Sequence, residues 1–268
     1  MAGDLLFSRS HGFPRDSRSG IPTMRTQKNI GFMIQVRMGS IRLPGKAMLP
    51  IAGKSLLSRV IHQFLPLSRR GRIIVATTRE LRDNPVVETA QAMGVDCFRG
   101  EEEDALSRFI GAAEKFSVDV IVRITGDNPL TDPVTCEEML NCLIQEEMDY
   151  VGVQGLPLGT ASEVCATEAL KKAARMTEAP IHRESITSFL YTNPDVFRVK
   201  MLDRGRLPYS RPHYRLTVDT EEDRRLMEEI YKALGDSPSL SEVVALLDKH
   251  PELRSINSHV EQRTLTMR

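Results

Sequence analysis

The segment from Ile34 to Lys46 reads Ile-Gln-Val-Arg-Met-Gly-Ser-Ile-Arg-Leu-Pro-Gly-Lys and constrains this chain more than any other. A largely apolar run from Ile30 to Val36 predicts a buried strand. It empties into a loop that carries Gly39 and Gly45 and three fixed cations, Arg37, Arg42 and Lys46. Glycines let backbone N–H groups approach a ligand closely. Three cations within ten residues, at the mouth of a strand, suit a polyphosphate. A solvated basic turn is the plain alternative, but the glycine brackets and the clean strand favour a ligand loop.

The spacing excludes the common nucleotide motifs. A P-loop has four residues between its first Gly and the Gly-Lys pair, then Ser or Thr. Here five separate Gly39 from Gly45, and Ala47 follows Lys46. The glycine fingerprint of dinucleotide-binding folds is also absent. A triphosphate would therefore need its metal held by carboxylates elsewhere in the chain.

With 268 residues and 41% hydrophobic content, the chain can bury one large core. Its 36 basic residues balance 36 acidic ones, so global charge points to neither nucleic acid nor an anionic membrane. No apolar stretch approaches the ~18 residues of a membrane span. Cys97, Cys136, Cys142 and Cys165 lack metal-ligand spacing and read as reduced thiols of a cytoplasmic protein. Residues 1–29 are rich in Ser, Arg and Gly and read as a disordered extension, with Met24 as an alternative start. The main domain is expected over 30–250, followed by a tail over 251–268.

Strands and helices alternate from Ile30 onward. Strands are expected at 30–36, 72–77, 95–98 and 118–124. Helices are expected around Leu56–Phe64, after Asn84-Pro85, over Asp104–Phe116 and after Asp132-Pro133. This rhythm predicts an α/β fold with a mostly parallel, Rossmann-like sheet covered on both faces. The second half is less regular, with strands at 150–153, 196–202 and 214–218 and helices at 168–176 and 183–191. Thr220 with Asp223, and Ser239 with Glu242, read as capping boxes for two closing helices. Residues 150–213 are expected to form a small inserted β-rich lobe that receives an acceptor or a second subunit.

In an open parallel sheet, ligands sit beyond the carboxyl ends of the strands. Asp127 follows one expected strand and Asp219 another, which suits a shared Mg²⁺ site. Taken singly, Asp127 could be a turn residue and Asp219 a charge at a helix start. Asp104 and Arg108 stand four apart on a helix, as a surface ion pair or as nucleotide contacts. No Ser/His/Asp or Cys/His constellation is legible, so a covalent enzyme intermediate is not expected.

The segment 34–46 closely resembles the opening motif of the cytidylyltransferases of acidic sugars, above all the spore coat polysaccharide biosynthesis protein F group. The likeness continues through Val75-Ala76-Thr77, Phe98-Arg99-Gly100, Asp104–Arg108, Arg123–Asp127, Arg183-Glu184 and Arg215–Thr220. It implies a nucleotidyltransferase domain of the GT-A type, often a homodimer, and Mg²⁺-dependent transfer of CMP from CTP to a sugar-acid hydroxyl for surface polysaccharide. By family position, Arg37, Arg42 and Lys46 would hold the triphosphate and act in catalysis, and Asp127 and Asp219 would hold metal. Gly39, Ser40, Gly45, Ala76, Thr77, Asp104 and Arg108 would bind the nucleotide. Glu163, Arg183, Glu184 and Arg211 would face the acceptor, the arginines suiting a sugar carboxylate.

The chain departs from the group after Tyr150. The stretch to Glu163 is short, Ser162 precedes Glu163 without the usual nearby aspartate, and Ser185 stands where His is common. These departures fall on the acceptor side, so an alditol phosphate or a phosphonate is the rival acceptor. A glycosyltransferase of related fold is disfavoured because Gly126-Asp127-Asn128 supplies no Asp-x-Asp pair.

Overall fold

The computed structural model describes residues 28–262. The expected extension falls outside the described residues except at Lys28 and Asn29. In chain order the elements begin with β1 (Ile30–Gln35), a two-residue hairpin β2 (Pro50–Ile51) and β3 (Lys54–Ser55), and α1 (Leu56–Phe64). They continue with β4 (Arg72–Thr78), α2 (Asn84–Ala92), β5 (Asp96–Gly100), α3 (Ala105–Lys115), β6 (Val120–Thr125) and α4 (Pro133–Glu146). Then come β7 (Tyr150–Gln154), β8 (Glu163–Ala166), α5 (Thr167–Met176), α6 (Pro180–Ser185), α7 (Ser188–Tyr191) and β9 (Val199–Asp203). The helices α8 (Glu221–Leu234), α9 (Leu240–Lys249) and α10 (Pro251–Arg254) close the chain.

Seven strands form one sheet in the order β5-β4-β1-β6-β8-β7-β9. Only β8 runs against its neighbours, so the sheet is mostly parallel as the alternation predicts. β1 lies between β4 and β6 with its residues buried on both faces. Phe32 and Ile34 point into the larger core with α1, α4, α8 and α9, whereas Met33 points into the smaller one with α3 and α5. The chain runs outward from β1 through β4 to β5, then returns to the other side of β1 as β6. That reversal opens a crevice beyond the carboxyl ends of β1 and β6, where open α/β sheets take their ligands.

The caps follow the sequence. Asp132 accepts from Val134 and Thr135 N–H, and both expected capping boxes are formed. The strands of the expected lobe, β7, β8 and β9, extend the same sheet.

Three local expectations need correction. Residues 183–191 break into α6 and α7 at Ile186, which has φ 63°. Ile186 is fully buried in the smaller core and the Thr187 hydroxyl bonds Glu163, so tertiary contacts override the helix. Residues 214–218 form no strand, only an isolated bridge between Arg215 and Leu158. Their partners are loops, with Leu216 N–H donating to Leu158 O at 2.7 Å and Val218 N–H to Asp127 O at 2.9 Å. The strand β8 was not expected, because it is short and begins with the charged Glu163. The tail, up to residue 262, packs on the domain and buries Asn257.

Phe109 lies wholly buried at the centre of the smaller core. Phe109→Ala is expected to cost about 3–5 kcal/mol in urea unfolding. A loss below about 1 kcal/mol would mean that α3 does not anchor this face.

Candidate active site

The loop after β1 is pinned by one buried acid. Asp83, with no exposed surface, accepts the Met38 N–H at 2.8 Å and the Thr77 hydroxyl at 2.8 Å. It also accepts the Thr78 N–H at 3.1 Å and the Thr78 hydroxyl at 2.5 Å. Burial opposes its charge, but these donors hold its pKa below the ordinary value. Gly45, at φ 70°, then turns the chain into a short 3-10 turn that carries Lys46 back over the crevice.

On the facing side, Gly126 lets the loop after β6 press against β1. A side chain there would meet Val36 Cβ at 2.7 Å and Gln35 O at 2.9 Å. This close approach brings Asp127 to Lys46. The Lys46 ammonium donates to Asp127 Oδ2 at 2.8 Å, to Asp219 Oδ1 at 2.9 Å and to the Val218 carbonyl at 2.9 Å. Asp127 and Asp219, 92 residues apart in sequence, thus share one cation.

Asp219 has two further counter-ions on its other oxygen, Arg42 at 2.8 Å and Arg215 at 2.8 Å. Arg215 also bonds the fully buried Asp223 at 2.8 and 3.0 Å. Asp223 in turn accepts the Asp219 and Thr220 N–H groups and the Asn257 amide. The start of α8 and the tail therefore set the position of Asp219. Burial opposes the Asp219 charge, but Lys46, Arg42 and Arg215 keep its pKa below 3.8. Burial likewise opposes the Lys46 charge, and Asp127 and Asp219 lift its pKa above 10.5.

Around this cluster lies a cleft of about 500 Å³. Gly39, Ser40, Arg42, Lys46, Asp127 and Asp219 line it. Arg37, Arg108 and Glu184 line it too. Arg37 is loosely held by Glu102 at 3.7 Å and Glu184 at 3.8 Å. Arg108 is 2% exposed and its Nε has no partner. Burial first, and then the neighbouring Arg37, lowers its pKa. Arg108 bonds the Glu101 carbonyl, whereas Asp104 caps α3 and pairs with Arg183 at 3.2 Å, so no surface ion pair joins Asp104 to Arg108.

Other expected site residues stand elsewhere. Ala76 and Thr77 are wholly buried in β4 and outside the cleft lining, with the Thr77 hydroxyl committed to Asp83. Arg183 is held by Asp104 and Glu178, and Arg211 by Asp248 at 2.6 Å, so neither lines the cleft. Glu163 lies in a neighbouring pocket, in an ion pair with Arg123. Asp83, Arg123 and Arg215 received no role from the sequence. Two hydroxyls at the end of β4, five and six residues before Asp83, were the available signal.

The two carboxylates suit a divalent cation whose remaining ligands are phosphate oxygens and water. Among the described residues no group of three or more His, Cys, Asp or Glu could form a metal cage. The donor set fits Mg²⁺ brought with a polyphosphate better than a resident zinc.

The family model of the cytidylyltransferases matches residues 32–264. The chain belongs to the cytidylyltransferase family. The spore coat polysaccharide biosynthesis protein SpsF of Bacillus subtilis is 32% identical over 84% of this chain and 96% of its own. A 3-deoxy-manno-octulosonate cytidylyltransferase of Trichlorobacter lovleyi is 32% identical over 48% of this chain and 47% of its own. The solved structure of a cytidylyltransferase from Leptospira borgpetersenii superposes with a TM-score of 0.79 at 28% identity, covering 89% of this chain and 99% of that one. This cytidylyltransferase is thus a nucleotidyltransferase on a mostly parallel α/β sheet. Among the described residues no helix is long and apolar enough to cross a membrane.

Two outcomes follow from the cluster. Asp219 has a lowered pKa, so its contribution is present above the unfolded carboxylate value and is lost as pH falls through the folded one. Lys46 has a raised pKa, so its contribution is complete below 10.5 and is lost as pH rises through the folded value. In urea unfolding across pH, Asp219→Asn is expected to flatten the acid limb below about pH 4. An unchanged limb would mean that the cluster adds no stability. Asp83→Ala strands buried donors and is expected to cost about 2–3 kcal/mol and to loosen the loop over 37–46. Undiminished stability with unchanged loop amide exchange would contradict that role.

Proposed function

We propose that this enzyme transfers CMP from CTP to an oxygen of a small sugar-acid-like acceptor in polysaccharide biosynthesis, with Mg²⁺ as cofactor and pyrophosphate as the second product. One observation carries the reading, the convergence of Asp127 and Asp219 on Lys46 at 2.8 and 2.9 Å beside Arg42. Family membership supports the cytidylyl group, and the SpsF and 3-deoxy-manno-octulosonate relatives support a sugar acceptor.

The acceptor oxygen attacks the α-phosphorus in line with departing pyrophosphate. A P–O bond to the acceptor forms, the bond to the β-phosphate oxygen breaks, and the acceptor proton passes to solvent. Such transfer depends on positioning and charge neutralisation, not on a protein nucleophile. Arg37, Arg42 and Lys46 bind and orient the phosphates from the loop side. Lys46 is the shared counter-ion of the two carboxylates, and a triphosphate gives its ammonium a third anion to hold. Held by Asp127 and Asp219, Mg²⁺ would offset the charge that grows on the phosphate oxygens. Asp83 and Gly126 fix the two walls, so these groups are in place before reaction.

Pyrophosphate release from CTP, Mg²⁺ and a panel of sugar acids and alditol phosphates tests this reading. Lys46→Ala is expected to lower kcat/KM about 100- to 1,000-fold, and Asp219→Asn to abolish Mg²⁺-dependent turnover with the fold retained by circular dichroism. Full activity in either variant would overturn the role given to that residue.

A further inference from the structure

A second pocket of about 370 Å³ opens beside the cleft, and Arg123 and Thr125 line both. It lies under β6, β7 and β8, with Leu158 and Val153 as apolar walls and the half-exposed Tyr191 and Met201 at its rim. Its volume suits a small molecule. Its position, sharing these two residues with the cleft that holds the phosphate cluster, suits the molecule that must meet the α-phosphate.

The charge in this pocket is already spent. Among the described residues Arg123 is its only lining cation and Glu163 its only lining acid, and the two form an ion pair. Arg123 also donates to Gln35 Oε1 from Nε at 3.3 Å and from Nη2 at 3.0 Å. Glu163 Oε1 accepts the Tyr150 hydroxyl at 2.7 Å and the Thr187 hydroxyl at 2.8 Å. A further anion placed here would face a partly buried carboxylate and find no free cation, which is costly. By contrast Asn128, the residue after Asp127, lines this pocket, and its Oδ1 is buried with no partner. Buried polar atoms of this kind call for a partner. A ligand hydroxyl supplies one.

We propose that this pocket takes the uncharged, hydroxyl-bearing body of the acceptor, with Asn128 bonding one of its hydroxyls, and rejects anionic groups remote from the reacting oxygen. The inference rests on the cytidylyl transfer proposed above. It narrows the acceptors to those whose acidic group lies at or beside the reacting oxygen, within reach of Arg37, Arg42 and Lys46. Two chemistries satisfy this rule: a 2-keto sugar acid reacting, in its cyclic form, through the hydroxyl on the carbon next to its carboxylate, and an alditol phosphate reacting through a phosphate oxygen. Arg183 and Arg211, tied to other acids, offer no alternative grip on a distant carboxylate.

The test is equilibrium binding by calorimetry to the full chain with Mg²⁺ and a non-hydrolysable CTP analogue. Two matched pairs serve as probes: 3-deoxy-manno-octulosonate against its C8-oxidised diacid, and sorbitol 6-phosphate against 6-phosphogluconate. In whichever pair binds, the member with the remote carboxylate is expected to bind at least tenfold more weakly. Asn128→Leu is expected to weaken the better member at least tenfold with affinity for the CTP analogue unchanged. Glu163→Gln, which removes the carboxylate that occupies Arg123, is expected to narrow the gap within that pair. Equal binding of both members, no binding by any of the four, or indifference to Asn128→Leu overturns the pocket assignment. Failure of the CTP analogue to bind overturns the transfer reading instead.

Discussion

One ammonium group organises the site. Lys46 binds Asp127 and Asp219 at once, together with the Val218 carbonyl, so all three of its donors are used. Each acid comes from a different part of the chain, and each would repel the other without the shared cation. The fold must therefore deliver three segments to one point: the loop after β1, the loop after β6 and the stretch before α8. The parallel sheet does this by placing β1 and β6 side by side, with Gly126 allowing the last close approach.

The rigidity of the arrangement comes from groups that do not line the cleft. Asp83 gathers the Met38 N–H and two hydroxyls of β4 beneath the cationic loop. Asp223 gathers Arg215, two N–H groups of the α8 start and Asn257 beneath Asp219. Both acids are wholly buried, and both hold a wall of the site by accepting several hydrogen bonds. Electrostatic preorganisation of this kind lets a site stabilise charge without rearranging during reaction.

The sequence revealed the parts whose physics is local. The apolar runs of β1, β4 and β6, the capping boxes at Thr220 and Ser239, and the cationic glycine loop are all written in short spans. Asp127 was legible because it follows β6, whose end lies at the sheet's carboxyl rim, and Asp219 because an apolar run leads straight into a capping box. What escaped depends on contacts far apart in sequence. Arg123 and Glu163 neutralise each other across 40 residues, and Arg215 joins Asp219 to the tail. The bend at Ile186 runs against local preference and exists because that side chain is buried. Residues 214–218 carried a strand pattern, yet loops replace the strand neighbour that the pattern anticipates.

The acceptor side follows from the same electrostatics. Cations are concentrated where phosphates would lie, while the adjoining pocket has its single charged pair closed on itself. The division separates the place for a reacting, charged end from the place for a neutral body. A crystal structure of the protein with CTP and Mg²⁺ tests the central claim most directly. The account predicts the triphosphate between residues 37–46 and the Asp127 and Asp219 carboxylates, with the metal on both acids and Lys46 turned to a phosphate oxygen. Triphosphate bound away from this cluster, or metal touching neither aspartate, would contradict it.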